Sequence, residues 1–237
     1  ITDRHGSAGA LRGLAENDRY LRELSERDDD GMRRGMVGVH AAFTCTDTHL
    51  VDAAELAEAH GVGVHIHVAE GPDDIGVADR ISDLTRDDWL LIHGVHLPDD
   101  HGLHGTIIHN PRSNMNNSVG YADPIRFTNP IGLGTDGIGA DMLAEFQLAY
   151  VAHRAADIGA SPDTAWSWLD TNRTLFPEVE RDTVTWSYDT IEPWHVAFTP
   201  TINVIDVDVD GESAVRNGVA TRVDADEIRA KATEQAA

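Results

Sequence analysis

His65-Ile66-His67-Val68-Ala69-Glu70 closes the β-branched run Val62, Val64, Ile66 with two imidazoles and a carboxylate. A strand ending in metal-capable and proton-capable groups delivers them to the mouth of a barrel or an open α/β sheet. In such folds functional residues sit at the carboxyl ends of strands. The pattern recurs along the chain. Upstream, Met36-Val37-Gly38-Val39-His40-Ala41-Ala42-Phe43 reads as a buried strand carrying His40. Downstream, Leu90-Leu91-Ile92-His93-Gly94-Val95-His96-Leu97 and Thr106-Ile107-Ile108-His109-Asn110-Pro111 end in histidine, and Ile131-Gly132-Leu133-Gly134-Thr135-Asp136-Gly137 ends in aspartate.

Helical spacing fills the intervals. Leu11, Leu14, Tyr20, Leu21 and Leu24 form one apolar stripe, and residues 48–60 and 74–84 read as two more helices. A fourth runs from the N-cap Asp141 to about residue 157, with Met142, Phe146, Ala149 and Tyr150 facing inward. Ile1–Gly6 reads as the tail of a strand entering a loop, and Asp28-Asp29-Asp30-Gly31 as a solvated turn. Strands alternating with helices predict parallel βαβ units. An open doubly wound sheet is one solution, but a ring of His, Glu and Asp from successive strand ends fits a TIM-like barrel better. Between His96 and Thr106 the residues Pro98, Asp99, Asp100, Gly102 and Gly105 are those of a loop, so the outer helix there is expected to be trimmed or missing.

Trp166, Trp168 and Phe176 are expected in the core of the helical stretch 160–180. From residue 183 the pattern turns to β, in Thr183–Tyr188, Val196–Phe198, Ile202–Val209 and Ser213–Val219. Asp224-Ala225-Asp226-Glu227 then opens a terminal helix with a capping-box-like start. The expected division is residues 1–180, a partial α/β barrel, and 181–237, β-sandwich strands with a terminal helix.

The composition narrows the partners. At 237 residues, 41% hydrophobic and 25% charged, the chain can bury a substantial core. No apolar run is long enough to span a bilayer, no signal peptide opens the chain, and the single Cys45 fits a reducing cytoplasm. The formal net charge is −23, and Lys231 is the only lysine. Nucleic acid is a poor partner for such a surface. Asp-rich, lysine-poor composition along the whole chain instead predicts a surface hydrated in concentrated salt, where the Debye length falls to roughly 3 Å and self-repulsion is screened.

Imidazoles and a carboxylate from separate strands make an N/O site suited to Zn²⁺ or Fe²⁺, and a nearby non-ligand carboxylate is the group that moves the proton of an attacking water. His67, Glu70, His93 and Asp136 supply that set. His65 shares a strand face with His67 and is a further candidate ligand. Each residue alone is a weak signal, and their ordered arrival at strand ends is what gives weight to a site.

His67-Val68-Ala69-Glu70, His93-Gly94-Val95-His96-Leu97, His109-Asn110-Pro111-Arg112-Ser113-Asn114 and Leu133-Gly134-Thr135-Asp136-Gly137 resemble the fifth to eighth barrel strands of the amidohydrolase superfamily. The resemblance points to the branch of guanine deaminase, S-adenosylhomocysteine deaminase and the triazine chlorohydrolases. Asn114-Met115-Asn116-Asn117 and Gly137-Ile138-Gly139-Ala140-Asp141-Met142 are most similar to aminohydrolases of the selenium-metabolism-associated type. It implies one divalent metal, zinc by preference and iron as the alternative, with His67 and Asp136 as ligands. Asp136 would also accept a proton from the attacking water, and Glu70 would carry a proton to a ring nitrogen. His93 would polarise the substrate or orient the nucleophile. His40 sits where binuclear members carry a carboxylated lysine, which implies the mononuclear type with His40 as a substrate contact. Asn110 and Ser113 would line the pocket. The implied reaction is hydrolytic deamination of a nitrogen heterocycle or amidine-like small molecule.

That family's first strand carries a His-x-His pair, which this sequence does not place upstream of His40. The expectation is an incomplete barrel, strands 3 to 8 only, with the carboxy-terminal part of a small β-sandwich. Exposed sheet edges would then favour a homo-oligomer. Three readings stay open: a truncated metal-dependent aminohydrolase, a catalytically incompetent binding remnant of the same fold, and a hydrolase with a different leaving group.

Overall fold

The computed structural model describes residues 1–27 and 31–236, so Asp28, Asp29 and Asp30 of the expected acidic turn lie outside the described residues. The chain divides into two units, Ile1–Asn172 and Arg173–Ala237. The first contains α1 (Ser7–Ser25), β1 (Val37–Ala41), α2 (Asp47–His60), β2 (Val64–Val68), α3 (Val77–Ile81), β3 (Leu90–His93), β4 (Thr106–His109), α4 (Pro111–Asn116), β5 (Ile131–Leu133), α5 (Met142–Ala156) and most of α6 (Pro162–Leu175).

The five strands form one parallel sheet in the order β1-β2-β3-β4-β5. Sequential order without a reversal is that of a barrel; a doubly wound sheet changes direction at a switch point. In β1 and β2 the pleat separates two faces. Val37, Val39, Ala41, Val64, Ile66 and Val68 are buried, while Gly38, His40, His65 and His67 lie half-buried on the opposite face. In β4 and β5 every residue is buried, as parallel strands covered on both faces should be.

Local signals set the helix ends. Thr46 caps α2 by accepting from the His49 backbone N–H, and Gly61 ends it with a left-handed φ of 64°. Asp141 caps α5 through the Ala144 N–H, as its sequence position predicts. No helix joins β3 to β4. Residues 94–105 run as a loop instead, with Arg126 donating to the carbonyls of Gly94 (3.3 Å) and Val95 (3.4 Å) and pairing with Asp99 (2.7 Å).

At one edge, Ile1 receives a backbone bond from His40 and donates its own amine to Gly38, but Ile1–Gly6 is not a regular strand as expected. At the other edge the side chain of Asn172 takes the place of a neighbouring strand. Its Oδ1 accepts from Leu133 N (3.1 Å) and its Nδ2 donates to Leu133 O (2.8 Å).

Several packing expectations need correction. Leu11 is 54% and Phe176 46% exposed, and Tyr20 is exposed too, so the inner faces of α1 and the 160–180 region are narrower than the apolar count suggests. Trp168 is buried, and Trp166 meets Phe146 edge-on at 5.0 Å. The short helix α4 was not anticipated, although Pro111 occupies its first turn, where a missing N–H costs nothing.

The second unit contains a four-stranded antiparallel sheet in the order β6-β7-β8-β9, from β6 (Thr183–Trp186), β7 (Val204–Val209), β8 (Glu212–Arg216) and β9 (Val219–Ala220). Val196–Phe198 is not a strand. Pro193 starts a single helical turn, α7 (Pro193–Val196), and the Glu192 carbonyl accepts from His195 and Val196. The terminal helix α8 (Ala225–Ala236) begins where Asp224 Oδ1 accepts from the Asp226 and Glu227 N–H groups, both at 3.0 Å.

Candidate active site

The carboxyl ends of β2, β3 and β5 bring together four of the side chains expected at the site, His67, Glu70, His93 and Asp136. His67 donates its Nδ1–H to the His40 carbonyl, which can only accept, so its Nε2 carries the lone pair. A backbone carbonyl fixing the tautomer in this way is the usual outer support of a metal-binding histidine. The His67 ring stacks on His93 at 5.4 Å, with 27° between the planes. His93 is almost fully buried, and its Nδ1 donates to Asn114 Oδ1 at 2.8 Å, which leaves Nε2 as an acceptor too.

His93 Nε2 faces Glu70 Oε2 at 3.7 Å and Asp136 Oδ2 at 4.0 Å. Three acceptor atoms thus surround one small space, an arrangement that calls for a proton or a cation between them. Burial holds the His93 pKa below its ordinary value, while the Asn114 bond and the two carboxylates pull the other way. Asp136 accepts from Ser113 Oγ (2.6 Å) and from Gly137 N (2.6 Å), and the Ser113 bond is the main reason its carboxyl titrates low.

The backbone is bent sharply where these groups project. Ala69, His93 and Asp136 have φ of 46°, 77° and 51°. Left-handed conformations in non-glycine residues cost on the order of 1–3 kcal/mol each, and they collect at functional sites. The Ala69 turn is held by Asp74, whose Oδ2 accepts from Ala69 N at 2.8 Å and whose pKa burial raises. From the sequence Asp74 reads only as the first residue of the helix expected over 74–84; it ends the 3-10 turn Pro72–Asp74 instead, and the α-helix there is shorter, Val77–Ile81.

The remaining predicted residues fall into two groups. His40 and His65 lie on the same sheet face, with rings 5.5 Å and 5.8 Å from that of His67, and burial lowers both pKa values. The Thr44 hydroxyl spends its hydrogen on Ala41 O, so His40 Nδ1 donates to Thr44 Oγ1 and its Nε2 stays open. Ser113 and Asn110, expected in the pocket wall, are both buried. Ser113 commits its hydroxyl to Asp136, and Asn110 packs beneath Gly134, where a Cβ would fall 2.3 Å from its Oδ1. Among the described residues no three His, Cys, Asp or Glu side chains are grouped to hold a metal ion.

His109, in β4, has another environment. It is fully buried between Tyr121 and Trp168, with ring centroids 5.8 and 5.9 Å away, and neither ring nitrogen meets a protein partner. Burial lowers its pKa to about 3. The native state therefore keeps it neutral, whereas the unfolded chain protonates it below about 6.5. Its contribution is complete above that value and lost as pH falls toward 3, at up to about 1.4 kcal/mol per pH unit. His109→Leu should flatten the loss of thermal stability between pH 6.5 and 4. An unchanged slope in paired melts assigns the acid limb to other groups.

The Amidohydrolase family model matches residues 9–171. The chain belongs to the amidohydrolase family. It is similar to the 5-methylthioadenosine/S-adenosylhomocysteine deaminase of Shouchella clausii, with 26% identity over 66% of this chain and 42% of that protein. Its fold is like that of an adenosine deaminase from Xanthomonas campestris with bound zinc, at a TM-score of 0.76, 18% identity and coverage of 91% of this chain and 60% of that one. It is also like the atrazine chlorohydrolase of Arthrobacter aurescens complexed with zinc, with a TM-score of 0.70, 18% identity and coverage of 92% and 60%. The chain thus spans about two fifths of the length of the curated relative. No helix among the described residues is long and apolar enough to cross a membrane.

Proposed function

We infer that this chain contributes the later strands and part of the active site of a metal-dependent aminohydrolase acting on an adenine nucleoside or a related nitrogen heterocycle. The observation that carries the reading is the convergence of His93 Nε2, Glu70 Oε2 and Asp136 Oδ2 on one space, with His67 stacked beside them. The five parallel strands are read as strands four to eight of a (β/α) barrel that residues 1–180 leave incomplete. The antiparallel sheet within 181–237 is read as part of a β-sandwich.

The donor set suits a divalent ion. His67 Nε2 and an Asp136 carboxylate oxygen are the ligands this chain offers, and zinc prefers such N/O donors, with iron as the alternative. When bound, such an ion lowers the pKa of water to about 7 and makes a nucleophile available at neutral pH. The protein's own groups do the rest. Asp136 takes up the proton of the attacking water, and Glu70 carries a proton to the ring nitrogen beside the attacked carbon. His93 orients the attacked group, and His40 closes the same face against the substrate.

The test is ammonia release from 5-methylthioadenosine, S-adenosylhomocysteine or adenosine by protein purified in molar KCl, with metal content measured on the same sample. Ammonia together with stoichiometric zinc or iron supports the reading. The same preparation lacking both metal and turnover overturns it in favour of a binding remnant. Chloride release from a chlorinated triazine without ammonia selects the second reading, for which the fold likeness to the chlorohydrolase speaks.

The charge of −23 supports a protein adapted to a salt-loaded cytoplasm. Thermal melts should show the midpoint rising by several degrees or more between about 0.1 M and 2 M KCl as repulsion among the carboxylates is screened. A midpoint that is unchanged or higher without the salt rejects this adaptation.

A further inference from the structure

One six-residue helix and its C-cap residue hold three of the four groups of the candidate site. From α4, Ser113 Oγ donates to Asp136 Oδ2, and Asn114 Oδ1 accepts from His93 Nδ1. Asn117, the C-cap residue, donates its side-chain Nδ2–H to Glu70 Oε1 at 3.1 Å and to Ser113 Oγ at 3.4 Å. An amide nitrogen has two hydrogens, and a hydroxyl can accept one bond while donating another, so both contacts exist together. The orientation of the amide follows from its partners. A carboxylate can only accept, and Asn117 Oδ1 is itself engaged by Asn116 Nδ2 at 3.1 Å.

These bonds form a continuous chain from Glu70 through Asn117 and Ser113 to Asp136. Two carboxylates facing one space repel each other, and neutral donors between them fix both without adding charge. With Oε1 held by Asn117, Glu70 keeps Oε2 directed toward His93 Nε2 at 3.7 Å. The helix is anchored in turn: Arg112 Nε pairs at 2.5 Å with Glu145 Oε1 on α5, and the Glu145 side chain is 1% exposed.

We propose that Asn117 is a positioning residue for the proton shuttle, fixing the Glu70 carboxylate and tying it through Ser113 to Asp136. The catalytic part of this proposal rests on the aminohydrolase reading of Glu70. Asn117 is exposed, so its replacement leaves the core untouched.

The experiment compares crystal structures and steady-state kinetics of the parent protein, Asn117→Ala and the isosteric Asn117→Asp, in molar KCl. In both variants the Glu70 carboxylate should leave its position while Ser113 stays on Asp136. The kcat for ammonia release should fall by about ten-fold or more, with KM nearly unchanged. Glu70 unmoved in both variants overturns the proposal whatever the activity. Glu70 displaced with kcat intact, or a change confined to KM, overturns the catalytic part. If Glu70 is displaced but even the parent releases no ammonia, the positioning stands and the aminohydrolase reading falls.

Discussion

Glu70→Gln should lower the kcat for deamination by about two to four orders of magnitude, the range over which a positioned acid–base group contributes. Glutamine keeps the length of the side chain and an oxygen able to accept from Asn117, so the hydrogen bond at 3.1 Å can persist. What it loses is the ability to hold and release a proton. Glu70 is only partly buried, with a third of its side chain exposed, so the melting midpoint should barely move. Glu70 is not among the expected ligands, so metal content should stay at the parental level. Parallel kinetics and metal analysis separate it from Asp136→Asn, which should reduce both. A kcat within about three-fold of the parent removes Glu70 from the proton path.

The largest expected loss of stability comes from a single methyl group at Gly63. A Cβ there would lie 1.8 Å from the Asp88 carbonyl oxygen, 2.6 Å from its carbon and 2.9 Å from Met36 Cε. The first two are backbone atoms, which no rotamer change can move. Either β2 or the turn before β3 must shift, and both are tied in: Gly63 O accepts from Val37 N (3.0 Å), and Arg86 donates to Val62 O (3.0 Å). Gly63→Ala should therefore cost about 3 kcal/mol or more, at the upper end of overpacking changes, and disturb His65 and His67 two and four residues on. Gly71→Ala is the matched control. Nothing lies within 4 Å of its Cβ, and its φ is −120°, so it should stay within about 0.5 kcal/mol of the parent. Urea melts of the two variants decide the matter, and equal midpoints would show that the β2–β3 approach yields easily.

The parts of the fold that were legible are those where one physical signal dominates. Val64, Ile66 and Val68 alternate with polar residues, Leu90–Ile92 is a continuous apolar run and Thr106–Ile108 is β-branched throughout, so the strands and the histidines at their ends could be placed. Asp141 announced its helix because a side-chain cap acts locally. Helix α4 was hidden for the opposite reason. Pro111-Arg112-Ser113-Asn114-Met115-Asn116 is short, polar and without apolar periodicity, and what stabilises it is tertiary, namely the bonds to Asp136, His93 and Glu145. The roles of Asn114 and Asn117 were lost with it. Val196–Phe198 misled because three apolar residues fit a strand as well as a helical turn, and the preceding Pro193 decides between them. His109 reads from the sequence only as the histidine that ends a buried strand. Only its enclosure by Tyr121 and Trp168 shows it facing away from polar partners.

The amide of Asn172 has a consequence for association. In a parallel sheet the outward N–H and C=O of alternate residues form the template on which another strand can grow, and on β5 those residues are Ile131 and Leu133. Asn172 already occupies both groups of Leu133, and Gly132 has no side chain to hold it off, since a Cβ there would fall 2.7 Å from Asn172 Oδ1. An incoming strand would have to displace that amide before it could pair with Leu133. At Leu133 this edge is therefore closed by a side-chain amide carried on α6 rather than by another strand.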